Sequence, residues 1–114
     1  MESHFRLHAR SEADARVLTL GGELDLAACP ELEEELDQAL RSQVSLVLVD
    51  LRELDFMDST GLSALVRAHQ RAEQNGQRFV LVNGSHQVQR LLSLTGMEKR
   101  MTLVDDPGEA LAGK

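Results

Sequence analysis

Residues Phe56 to Leu62 read Phe-Met-Asp-Ser-Thr-Gly-Leu, so one carboxylate and two hydroxyls stand directly ahead of an apolar run. A hydroxyl at the start of a helix is a good place to hold a phosphate, because first-turn N–H groups point outward and the helix dipole favours negative charge. The same residues also make a complete helix N-cap, with Asp58 or Ser59 accepting from first-turn amides. Spacing leaves both uses open, a regulatory site and a plain cap. Gly61 bears on the choice. A poor helix former in a first turn makes sense where something must come close to the backbone, either a packed strand or a partner.

Other signs of chemistry are sparse. Asp25, Asp50, Asp55 and Asp58 are the acidic residues near expected strand ends. A magnesium or phosphoacceptor pocket would be assembled from them, since Mg²⁺ needs only one or two carboxylates beside its waters. Capping of turns and helices is the better account of all of them except Asp58. His4 and His8 share one face of a strand-like segment, a spacing open to a metal but natural for a solvated strand end. His69 closes an apolar helical stripe and reads as a boundary residue rather than a base. Cys29 lies near a helix start, which favours a thiolate, yet the sequence shows no activating partner. Neither a P-loop nor a GxGxxG pattern occurs. The expectation is a chain with no catalytic residue, no metal and no cofactor.

The elements that must position Asp58 and Ser59 follow from periodicity. Phe5 to His8 alternates apolar and basic residues, a first strand. A polar turn over Ser11 to Ala15 leads to a second strand, Val17 to Leu20, closed by Gly21-Gly22, and the two read as a hairpin. Leu32, Leu36, Ala39 and Leu40 are spaced for one face of a helix, with Pro30 in its first turn and the acidic residues Glu31, Glu33, Glu34 and Glu35 near its positive end. Val44 to Leu51 is almost continuously apolar and predicts an interior strand covered on both faces. A turn over Arg52 to Asp55 then leads to Phe56-Met57 and the Asp-Ser-Thr-Gly stretch. Leu62, Leu65, Val66, His69 and Ala72 predict a second helix ending at Asn75-Gly76. Phe79 to Val82 is a further strand. Ser85 caps a third helix with Val88, Leu91 and Leu92 facing inward, closed by Thr95-Gly96. Met101 to Val104 is a last strand, and Pro107 opens a short terminal helix through Ala112. Strands alternating with helices after an opening hairpin imply an α/β domain with a mixed sheet. Core positions are expected at Leu36, Leu40, Val47, Val49, Leu65, Val66, Leu81 and Leu92.

Composition narrows the class of partner. With 114 residues the expectation is one domain spanning 1–114. Nineteen acidic residues against 12 basic give a formal charge of -7. That charge, without a compact basic cluster, disfavours nucleic acid and anionic membranes and steers a basic protein partner toward the chain. The single cysteine, the absence of a long apolar run and a polar N-terminus point to a cytoplasmic protein.

Four stretches carry a resemblance. Gly22 to Asp25 reads GELD, Val47 to Leu51 VLVDL, Phe56 to Leu62 FMDSTGL, and Arg90 to Met97 RLLSLTGM. Together, in this order, they resemble the STAS family, specifically the bacterial anti-sigma factor antagonists. The resemblance implies a four- to five-stranded sheet with alternating helices. It implies that Ser59, not Thr60, is phosphorylated by an anti-sigma factor that is a serine kinase. The dephosphorylated form would bind that kinase and free the sigma factor, and a serine phosphatase would reset the cycle. Asp25 and Asp58 match acidic positions bordering the site, and the partner surface would comprise Asp25, Asp58, Ser59, Thr60, Gly61 and Leu62. STAS domains also serve in other assemblies, so a non-phosphorylated scaffold subunit, for example of a lipid-transport ATPase, is the alternative. An enzyme would need a pocket around Asp25, Asp50 and Asp58.

Overall fold

The computed structural model of the chain describes residues 4–112. Five strands form one sheet in the order β1-β2-β3-β4-β5: β1 (Arg6–Glu12), β2 (Ala15–Leu24), β3 (Leu46–Met57), β4 (Arg78–Val82) and β5 (Thr102–Val104). β1 and β2 are antiparallel, and every later neighbour pair is parallel. Helices α1 (Cys29–Arg41), α2 (Ser59–Asn75) and α3 (His86–Leu94) connect the parallel strands, and α4 (Pro107–Ala112) ends the described chain. The mixed sheet with alternating helices is the architecture expected from the sequence. No helix among the described residues is long and apolar enough to cross a membrane.

The core has two layers. On one face, Leu18, Leu20, Val47, Val49 and Leu81 pack against Leu32, Leu36, Leu40, Leu65, Ala68 and Leu92 from the helices. On the other, Val17, Leu48, Val80 and Val82 lie under Ala110 of α4. β3 is therefore buried on both sides from Leu46 to Asp50, which explains its unbroken apolar sequence. Every expected core position is buried except Val66, which is partly exposed and packs at the edge.

The turn expected over Arg52 to Asp55 is strand. β3 runs through it to Met57, and β2 runs through Gly21-Gly22 to Leu24. Twelve residues of β3 lie beside 10 of β2, with register shifts between Thr19 and Gly21 and between Gly22 and Glu23. Each shift is a bulge that takes up one extra residue of β3 and re-aims the side chains beyond it. Leu51, Leu54 and Met57 therefore all face the helices at a spacing of three, while Arg52-Glu53 and Asp55-Phe56 are exposed. Gly22 sits at φ +80°, and a Cβ there would lie 1.8 Å from the His4 carbonyl oxygen. The glycines thus serve the bulged ladder, and the extension carries the chain directly to Asp58.

Candidate functional site

Asp58 is the N-cap of α2. Its Oδ1 accepts N–H bonds from Thr60 and Gly61, both at 3.0 Å, and the Thr60 hydroxyl bond. Its own N–H donates to the Leu24 carbonyl at 3.1 Å, which ties the helix start to the end of β2. Burial pushes the Asp58 carboxyl up, but bonds from the Thr60 hydroxyl and the Gly61, Thr60 and Leu26 N–H groups outweigh it and hold the carboxyl below its ordinary range. Asp58 is therefore a carboxylate with its donors fully assembled.

The neighbours have separate tasks. Thr60 is partly buried; its Oγ1 also receives the Cys29 thiol at 3.7 Å, and that thiol lies 3.4 Å from the Asp25 carbonyl. Gly61 is buried, and a Cβ on it would stand 2.6 Å from Leu24 Cγ. Of the two readings open in the sequence, the close approach is a packed strand. Leu62 is also buried. Ser59 differs from all of these: it is exposed, and its hydroxyl has no hydrogen-bond partner among the described residues.

Asp25 lies beside this corner. It caps a short 3₁₀ turn, Leu26–Ala28, through the Ala28 N–H at 3.2 Å, and that turn leads into α1. A groove between the starts of α1 and α2 is lined by Leu26, Pro30, Glu33, Ser59, Ser63 and Arg67, among others. Leu26 is 70% exposed there, one of three large apolar side chains left in solvent among the described residues. Farther along, Arg67 pairs with Glu33, and Asp37 bridges Arg71 and Arg41 at 2.7 and 3.0 Å, clasping α1 to α2. The Arg71 hydrogen bond holds the Asp37 carboxyl below its ordinary range.

The remaining candidates lie elsewhere. Asp50 is buried and spends both oxygens on Arg52, at 2.9 to 3.2 Å, on the sheet face away from α1–α3. It cannot join Asp25 and Asp58 in one pocket. Among the described residues no group of three or more His, Cys, Asp or Glu is placed to hold a metal ion. His4, His8 and Asp55 are exposed, and His69 stacks edge-on against Phe79 with ring centroids 6.0 Å apart.

A model of the STAS-domain family matches residues 6–110. The chain belongs to the STAS-domain family. The anti-sigma-B factor antagonist of Staphylococcus aureus is 34% identical to it over 82 residues, covering 72% of this chain and 76% of that one. An anti-sigma factor antagonist from Mycobacterium paratuberculosis has the same fold, with a TM-score of 0.87 at 22% identity over 95% of this chain and 92% of that chain. SpoIIAA is similar in its unphosphorylated form, with TM-score 0.77, 25% identity, and 94% and 92% coverage. Its phosphorylated form, from Bacillus, gives TM-score 0.71, 24% identity, and 95% and 96% coverage. This STAS chain is grouped by homology with the anti-sigma factor antagonists.

Periodicity did not single out several members of the STAS groove, Leu26, Glu33, Ser63 and Arg67 among them. Leu26 lies in a 3₁₀ turn too short to show a period, Glu33 read as part of its helix's solvated acidic face, and Ser63 and Arg67 fall outside the apolar stripe of theirs. Arg67 did carry one signal, its position two i+4 steps beyond Ser59 on one helix.

Proposed function

We propose that this STAS domain is a phosphorylation-controlled anti-sigma factor antagonist acting in the cytoplasm. Unmodified, it binds an anti-sigma factor serine kinase through the face around Asp25, Asp58 and Ser59, and so releases the sigma factor. The kinase transfers the γ-phosphoryl group of ATP to Ser59 Oγ; the hydroxyl proton is lost and ADP leaves. A serine phosphatase hydrolyses the ester and restores the binding form. The domain itself touches no nucleic acid and needs no cofactor.

The observation that carries this reading is the division of labour at the helix start. Asp58, Thr60 and Gly61 are locked into the cap, whereas the Ser59 hydroxyl is exposed and unengaged. A phosphate brings about -1.5 to -2 charges. The helix end cannot absorb it fully, because Asp58 already occupies the Thr60 and Gly61 N–H groups. The charge therefore stays at the surface beside a carboxylate. A partner packed over it meets a like-charge cost of several kcal/mol, and each ~1.4 kcal/mol is tenfold in affinity.

Phosphosite mapping tests the assignment. The chain is incubated with its anti-sigma factor kinase and ATP, beside Ser59→Ala and Thr60→Ala. One phosphate is expected on Ser59 in the parent and in Thr60→Ala, and none in Ser59→Ala. Phosphate on Thr60 overturns the Ser59 assignment, and binding with no phosphate transfer shifts support to the scaffold alternative.

A further inference from the structure

We propose that Arg67 is the phosphate-responsive arm of this site: it pairs with Glu33 when Ser59 is free and turns to the phosphate when Ser59 is modified. The inference rests on Ser59 being the phosphorylated residue. Three observations carry it. First, Arg67 and Ser59 line the same groove, and Arg67 is the only cationic side chain lining it among the described residues. Second, Arg67 is held by an ion pair to Glu33 in which the two side chains are 61% and 48% exposed. A pair so open to solvent holds its arginine weakly. Third, the two Asp58-bound amides leave a phosphate on Ser59 short of main-chain donors.

Geometry permits the exchange. Ser59 and Arg67 are eight residues apart on α2, a rise of about 12 Å. Long helical side chains lean toward the N-terminus, so Arg67 covers the turn of Ser63 on the way to Ser59. Ser59 and Arg67 line the one groove, so a phosphate on Ser59 and the Arg67 guanidinium would share it. The phosphate offers a planar guanidinium more charge and more acceptor oxygens than the Glu33 carboxylate does. Once Arg67 turns, Glu33 stands unpaired on α1 while Arg71 still holds Asp37. Phosphorylation would then spread its negative charge across the groove, from the start of α2 to the face of α1, rather than concentrate it at one residue.

The test needs neither kinase nor partner. Phosphoserine is placed at position 59 during synthesis of the full chain, and its ³¹P shift is followed against pH through the second phosphate ionisation near 6. The charged groups facing the phosphate are Asp58 at the cap, Asp25 at the neighbouring turn, Glu33 across the groove and Arg67; no histidine lines the groove among the described residues. Arg67→Gln is expected to raise the midpoint by about half a pH unit, the size of an exposed ion pair. Glu33→Gln, which frees Arg67 from its rival, lowers it, and Arg71→Gln leaves it in place. In the unsubstituted phosphoprotein the Arg67 Nε–H resonance moves with the phosphate titration, and with serine at 59 it does not. An Arg67→Gln midpoint equal to the parent's, or an unmoved Nε–H resonance, overturns the proposal while leaving Ser59 as acceptor intact. Phosphate mapped to another residue overturns the acceptor assignment without altering the ³¹P result.

Discussion

Replacing Gly61 with alanine probes the joint between β2 and α2. At an open helical position that change stabilises a protein by about 1 kcal/mol. Here the added Cβ would meet Leu24 Cγ at 2.6 Å, Cδ2 at 2.9 Å and the Leu24 carbonyl oxygen at 3.0 Å. Leu24 is completely buried, so its branch point has nowhere to move. The same carbonyl accepts the Asp58 N–H, so displacing it loosens the cap as well. Overpacking of this kind costs about 1–3 kcal/mol. With a backbone atom among the close contacts the upper part of that range applies, and after the helix gain a net loss of about 1–2 kcal/mol remains. With a urea slope of about 1–3 kcal/mol per molar, the unfolding midpoint should fall by roughly 0.3–2 M at unchanged slope. A midpoint that stays or rises would refute the packing of Gly61 against Leu24.

Leu65→Ala removes a fully buried side chain from α2 and should cost about 2–5 kcal/mol in denaturant unfolding. Asp58→Ala should cost about 1 kcal/mol at neutral pH through loss of the cap. The folded Asp58 pKa lies below the unfolded 3.8, so the unfolded chain binds the extra proton between them; the cap's contribution is complete above about pH 4 and is lost as pH falls through the folded value, and the gap between parent and variant should close over that window. Arg52→Ala leaves the buried Asp50 with only the Arg52 backbone N–H among its present bonds and should lower stability by about 1–3 kcal/mol, readable by thermal unfolding.

The sequence was most legible where one physical cause dominated. Leu32, Leu36, Ala39 and Leu40 marked the buried face of α1, Asn75-Gly76 the end of α2 with Gly76 at φ +76°, and Pro107 the first residue of α4. It was least legible where two causes competed. Arg52 to Asp55 look like a turn because they are polar, yet bulges turn those polar residues outward and bring Leu51, Leu54 and Met57 inward at a period no regular strand has. At the site, Asp58 and Ser59 were equal candidates for the cap, and only the hydrogen bonds separate them. Gly61 announced a close approach, but the approaching Leu24 is 37 residues away in the chain and has no local signature. The groove depends on α1 meeting α2, a tertiary fact that neither helix encodes alone.

The central claim is that charge on Ser59 decides whether the partner stays bound. The direct measurement is calorimetric titration of the anti-sigma factor kinase with two preparations of the chain, one unmodified and one carrying phosphoserine at position 59, each confirmed by intact mass. Unmodified protein and Ser59→Ala should bind alike, and the phosphorylated protein should bind at least about 100-fold more weakly, a difference of ~2.7 kcal/mol, while melting nearly as the parent does. Equal affinity of the phosphorylated and unmodified forms would contradict the claim.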